Sequence, residues 1–153
     1  MRAAVCSQLG PAQELTFGEM PDPTPGPGQV LIEVKAAGVN YVDGLFVEGR
    51  YQIKPPLPFV PGSEIVGVVT EVGPDTDHAP RVGTRVMASV GLGGFAERVV
   101  APVAAAVPLP DGLSDGVGAT LVQSYATMRF ALTRRTTVRP DEWVAVLGAS
   151  GGI

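Results

Sequence analysis

Residues 38–73 read GVNYVDGLFVEGRYQIKPPLPFVPGSEIVGVVTEVG, and the fold turns on this stretch. Its two ends behave differently. Asn40–Glu48 shows no alternation of apolar and polar residues and suits a short helix that stops at Gly49. Ser63–Val72 is a continuous apolar run rich in β-branched residues, the composition of a strand. Between them lie Pro55, Pro56, Pro58 and Pro61, which neither ladder nor helix accommodates.

Outward from this stretch, short apolar runs recur between punctuation marks. Upstream, Gln29–Ala37 alternates: Val30, Ile32 and Val34 point one way, with Leu31, Glu33 and Lys35 between them, as in a half-buried strand. PDPTPGPG at Pro21–Gly28 is a rigid turn. Met1–Cys6 and Glu14–Met20 read as two further strands. Downstream, Thr84–Val90 and Phe95–Val100 are short strands separated by glycine-rich turns. This spacing favours a small β-barrel or sandwich over alternating strand–helix units.

The composition changes near Pro108–Gly112. Ser114 is a candidate N-cap for a helix of about five turns, from Asp115 to roughly Arg134. Val117, Leu121, Tyr125, Met128 and Leu132 recur at helical steps and would give it one buried face. Gly116 and Gly118 weaken its first turn by about 1 kcal/mol each. A turn at Arg139-Pro140-Asp141 leads into Glu142–Leu147, an expected strand with the unbroken apolar character of a parallel sheet. Gly148-Ala149-Ser150-Gly151-Gly152-Ile153 follows. Closely spaced glycines after a strand are how dinucleotide sites begin, since the backbone turns sharply and comes close to a pyrophosphate. By itself such a cluster is also compatible with a plain turn.

The totals narrow the function. Of 153 residues, 45% are hydrophobic and 17% charged, enough to bury a sizeable core and too apolar for a disordered chain. Twenty glycines and fifteen prolines, scattered without a repeat, imply many tight turns. The net charge of −4 and the absence of a basic run argue against a nucleic-acid surface. One cysteine, Cys6, excludes an intramolecular disulfide framework and any site of several thiolates. No stretch approaches the roughly 18 apolar residues of a membrane span, and the N-terminus lacks a signal-peptide core. A cytoplasmic protein is the expectation.

The 38–73 stretch resembles the core signature of the zinc-independent quinone oxidoreductases, the zeta-crystallin-like group of the medium-chain dehydrogenase/reductase superfamily. GPGQVLIEVKAAGVN before it, VGTRVMA and GGFAERVVAP after it, LPDGLSDGVGATL, and PDEWVAVLGASGG at the end extend the resemblance in order over essentially the whole chain. It implies a mainly β protein with some α: a GroES-like β-barrel catalytic domain at 1–112, then a connecting helix and the first strand of a truncated Rossmann fold at 113–153. It implies NADPH-dependent hydride transfer to quinones or α,β-unsaturated carbonyl compounds, and a homodimer in the intact enzyme. The chain is expected to stop inside its nucleotide-binding loop. Taken alone, it should bind NADPH negligibly and self-associate.

Zinc alcohol dehydrogenases of the superfamily carry a Cys and a His where this chain has Asn40 and Ser63, neither a good zinc ligand. No metal site is therefore expected, and a zinc-type alcohol dehydrogenase is the lesser alternative. Cys6 reads as a packed thiol and His78 as a solvated turn residue. Without a metal, carbonyl polarisation must come from hydrogen bonds. The resemblance places Asn40 near nicotinamide and substrate, where its amide can donate to a carbonyl or orient a bound group; a turn residue bonding its own backbone is the other reading. It places Tyr51 on the substrate cleft, against the alternative of a packed loop aromatic. It places Thr127 near the nicotinamide end, against a threonine facing the core. Gly148, Ser150, Gly151 and Gly152 would hold the phosphates. Leu45 stands where some relatives carry a second tyrosine, which makes the cleft more apolar. Asp43 and Glu64 invite an acid–base reading, but structural roles suit them better: a salt bridge or a helix-terminus contact. Arg50, Lys54 and Arg129 read as surface charge. A truncated, non-catalytic or partner-dependent domain stays open beside the enzyme.

Overall fold

The alternating residues of Gln29–Ala37 do what their spacing implies. In the computed structural model, which describes residues 1–152, Val30 and Ile32 are fully buried in strand β3 (Gln29–Gly38). β1 (Arg2–Val5) and β2 (Thr16–Glu19) form an antiparallel pair. Helix α1 (Tyr41–Val47) follows β3, and β4 (Glu64–Val72) follows the proline-rich loop. β5 (Arg85–Ser89), β6 (Arg98–Pro102) and β7 (Ala106–Pro108) complete a five-stranded antiparallel sheet in the order β6-β3-β4-β5-β7.

All five strands send residues into one core: Val30 and Ile32, Ile65 and Val69, Val86 and Ala88, Val99 and Ala101, and Ala106. Within the strands these side chains fall on a two-residue period, so a sheet wrapped around them buries one face. Each fully buried Val or Ile contributes about 1.5–3 kcal/mol of transfer free energy.

β4 is the exception that explains its unbroken apolar run. It lies at the centre of the sheet, and its other face is covered too: Val66 packs with Leu109 and Ala119. A third cluster, Cys6, Phe46, Val47 and Phe59, seats α1 against the start of the chain. The β1–β2 pair is tied to the rest by bridges between Ala3 and Ala96 and between Cys6 and Phe59.

Three expectations need correction. First, Phe95 and Ala96 are not the start of β6, which opens at Arg98. Their main chain serves other partners: the Ala4 N–H donates to Phe95 O, and the Phe95 N–H donates to Pro61 O. Second, the helix from Asp115 to Arg134 is not one amphipathic rod. Ser114 caps it as read, its hydroxyl accepting from the Val117 N–H at 3.3 Å, but α2 (Asp115–Gly118) ends after one turn. π-type turns at Val122–Ala126 and Ala131–Arg135 then flank α3 (Thr127–Phe130). Tyr125 is 68% exposed, and Val117, Met128 and Leu132 are exposed as well, so the expected buried face is not buried. Only its start meets the sheet, where Ala119 packs on Val66 and Leu121 is half-buried; beyond Ser124 its residues are exposed, and periodicity without a partner buries nothing.

Third, Glu142–Leu147 is not a strand. The turn before it is present, the Glu142 N–H donating to Arg139 O at 3.3 Å, but Trp143 is fully exposed and Leu147 is 91% exposed. A strand needs a neighbour's N–H and C=O groups, and among the described residues none lies alongside. Conversely, β7 was not read from the sequence: AVP is too short and proline-bounded to show a period.

Candidate active site

α1 begins where β3 ends, and its first residues bring four polar groups together. Asn40 is the N-cap, and its backbone N–H donates to Asp43 Oδ2 at 2.8 Å, the acidic half of a capping box. Its side-chain nitrogen donates to Glu64 Oε1 at 2.9 Å and lies 3.5 Å from Ser63 Oγ. The partner fixes the amide's orientation, because a carboxylate oxygen accepts only from the nitrogen end. The second carboxylate oxygen, Oε2, accepts the Gln123 N–H at 2.8 Å.

Glu64 and Asp43 are buried, at 1% and 3% exposure. Burial is the main cause that raises the Asp43 carboxyl above its ordinary value. The hydrogen bond from the Asn40 main chain and the Ser63 hydroxyl oppose it, and the nearby Glu64 charge adds to it. Asp43 Oδ1 has no hydrogen-bond partner. Neither carboxylate is in a salt bridge among the described residues. The helix-terminus role expected for Asp43 is what the geometry shows.

A cavity of about 350 Å³ opens beside these groups, lined among others by Asn40, Asp43, Val39, Leu45 and Phe95. Its wall is largely apolar and its polar end carries the Asn40–Asp43 corner, with Glu48 and Arg50 lining it as well, a composition that suits a small-molecule pocket. Leu45 contributes to that apolar wall, as its identity suggested.

The other residues singled out from the sequence are spread more widely. Tyr51 is half-buried and stacks on Phe46, with ring centroids 4.5 Å apart and planes tilted by 48°. It belongs to the cluster of Cys6, Phe46 and Phe59 rather than to the cavity wall, the arrangement of a packed loop aromatic. Thr127 is exposed at the start of α3, so it does not face the core. Gly148–Gly152 forms an exposed turn in which the Gly151 N–H donates to Gly148 O at 2.9 Å. Gly148 has φ +69°, a backbone that side-chain-bearing residues seldom adopt. A Cβ on Gly152 would sit 3.7 Å from Ser124 Oγ. The loop therefore returns to the connector one residue from Gln123, which Glu64 holds.

Cys6 is buried, donates to Gln8 O at 3.1 Å, and has its thiol pKa raised by burial, as a packed thiol does. His78 is exposed in a turn at φ +58°. Arg50 pairs with Glu48 at 3.0 Å; Lys54 and Arg129 are exposed. Among the described residues, no group of three or more His, Cys, Asp or Glu side chains is placed to hold a metal ion, and no helix is long and apolar enough to cross a membrane.

Sequence reasoning missed Gln123, whose contribution is a main-chain N–H. It also undervalued Glu64. The available signal was a charged residue opening a β-branched run, since a carboxylate is almost never fully buried without partners.

The described residues thus form an antiparallel sheet carrying a short capped helix beside an apolar cavity, followed by the connector and a glycine turn. Residues 26–111 match the alcohol dehydrogenase GroES-like domain, and the chain belongs to that family, within the medium-chain dehydrogenase/reductases. It is 37% identical over 150 residues to quinone oxidoreductase-like protein 2 of Rattus norvegicus, covering 98% of this chain and 42% of the rat protein. It is 38% identical over 155 residues to the quinone oxidoreductase of Homo sapiens, covering 100% and 47%. The chain thus spans less than half the length of these relatives. Among solved structures, a mycobacterial protein complexed with NADPH superposes with a TM-score of 0.86 at 34% identity, over 92% of this chain and 43% of that one. A thermostable alcohol dehydrogenase from Pyrobaculum aerophilum gives 0.86 at 34% identity, over 99% and 53%.

Proposed function

We propose that the protein carrying this chain is a zinc-independent, NADPH-dependent reductase of quinones or α,β-unsaturated carbonyl compounds. The observation that carries this reading is the donor set at the polar end of the cavity. At that end stands the Asn40 amide, held by the buried Glu64 carboxylate and 3.5 Å from Ser63 Oγ, and an amide donor suits a carbonyl oxygen better than a metal. The relatives named quinone oxidoreductase support the substrate class, and the mycobacterial NADPH complex supports the nucleotide.

The residues present fit such a cofactor in part. The Gly148–Gly152 turn offers open main chain for phosphate oxygens, with Ser150 beside it. In this reading Asn40 and Thr127 face the nicotinamide end. When bound, the nucleotide supplies a hydride to the electrophilic carbon or quinone. Beyond the bond to Glu64, the Asn40 side-chain nitrogen makes only a long 3.5 Å contact with Ser63 Oγ, and in this reading that second hydrogen turns to the substrate oxygen as negative charge grows there. Val39 and Leu45 keep water from the reacting face. The proton that neutralises the reduced oxygen or carbon comes from water at the cavity mouth, completing a two-electron, two-proton-equivalent reduction. Tyr51 packs on Phe46 outside the cavity wall and is assigned no step in this reading.

The test is steady-state turnover of the purified protein with NADPH or NADH and a panel of quinones, enones and simple aldehydes, with and without a strong chelator. Chelator-resistant NADPH oxidation by quinones or enones is expected. Chelator-sensitive alcohol or aldehyde turnover alone would replace the reading with that of a zinc alcohol dehydrogenase.

A further inference from the structure

We propose that Glu64 is a positioning residue: one carboxylate oxygen sets the Asn40 amide, and the other draws the connector out of helical register. In a continuous α-helix the Gln123 N–H would donate to Ala119 O, four residues back. Here it donates to Glu64 Oε2 at 2.8 Å, and α2 has already ended at Gly118. A side chain inserted into the helical ladder is a recognised cause of a break, and π-type turns cluster where one occurs. The π turn at Val122–Ala126 starts at this point.

The approach is close by construction. A Cβ on Gly38 would lie 2.2 Å from Ala119 O and 2.6 Å from Glu64 Oε1, so only glycine lets the connector, the carboxylate and β3 meet. The hydrogen-bonded path from Asn40 through Glu64 to the Gln123 main chain is continuous, so Glu64 ties the cavity corner to the connector. Its catalytic consequence rests on the reductase reading; the clamp itself does not.

Glu64→Gln keeps the shape but has a single acceptor oxygen, so one of the two N–H donors is left facing an NH₂ group. Hydrogen exchange of the 119–126 segment, read by mass spectrometry, should accelerate about tenfold or more, as expected for loss of a bond to a charged group, with β5 and β6 unchanged. Unchanged exchange would overturn the clamp. Urea unfolding of Glu64→Gln, Asn40→Ala and the double variant should show non-additive losses, and strict additivity would refute the Asn40 contact. In turnover, Glu64→Gln should lower kcat about tenfold with the KM for nucleotide within about twofold, and it should add little to Asn40→Ala. Independent, multiplying kcat losses would also sink the positioning role. If the parent turns over no quinone or enone, the reductase reading fails, while exchange and unfolding still decide the clamp.

Discussion

Asp43 is the residue where charge, burial and capping meet. Its native pKa is raised, so the folded protein holds the proton more tightly than the unfolded chain does. The sign follows from linkage. Its contribution to stability is greatest below the ordinary carboxylate value and falls as pH rises through the raised native value. Asp43→Asn keeps an acceptor for the Asn40 N–H and removes the buried charge. Urea titrations across the acidic range should therefore give a flatter stability–pH profile for Asp43→Asn, with neutral stability at or above the parent's. Asp43→Ala should lose about 1 kcal/mol at neutral pH through the cap. A parallel pH profile for parent and Asp43→Asn would contradict the burial argument. At Gly38, substitution by Ala should cost about 1–3 kcal/mol in the same assay, because a main-chain oxygen and a buried carboxylate stand in the way. An effect within a few tenths of a kcal/mol would show that the connector gives way freely.

Among the elements, β4 should be the most demanding and the connector the least. Ile65→Ala removes a fully buried side chain from the sheet's centre and should cost about 2–5 kcal/mol in chemical denaturation. The same change at exposed Leu132 should alter stability by less than about 0.5 kcal/mol. Comparable losses at both positions would mean that the connector's apolar stripe has a cover. The elements also divide by how legible they were. β3 announced itself because Val30 and Ile32 face the core while Glu33 and Lys35 face out, so a period of two survives in the sequence although Leu31 is buried as well. β4, buried on both faces, showed only its β-branched run. α1 was legible through Asn40 and Gly49 at its ends. The connector misled, because Val117, Tyr125, Met128 and Leu132 carry a helical period that nothing among the described residues satisfies. Of the site, Asn40 could be named from its place in the motif. Its partner Glu64 could be suspected from its setting, but Gln123 contributes only main chain and leaves no trace in side-chain identity.

For the molecule as a whole, the balance of covered and uncovered apolar surface is uneven. The sheet is fully cored, whereas Trp143, Val144, Val146 and Leu147 stand exposed in a row. Such a segment is open to pairing with another chain. The 153-residue chain studied by itself should show sedimentation that shifts with concentration, and its single tryptophan should be quenched by acrylamide as freely as a solvated indole at high dilution. Sedimentation that does not change with concentration would contradict this pairing.

The placement of β4 carries a mechanical implication. One strand supplies the middle ladder of the sheet, presses Val66 against Leu109 and Ala119 on its far side, and grips the connector through its first residue. A force or ligand that swings the connector is thereby delivered to the strand with the most neighbours to resist it. The pivot is stiff on the sheet's side, and any bending falls to the loosely wound turns beyond Gln123.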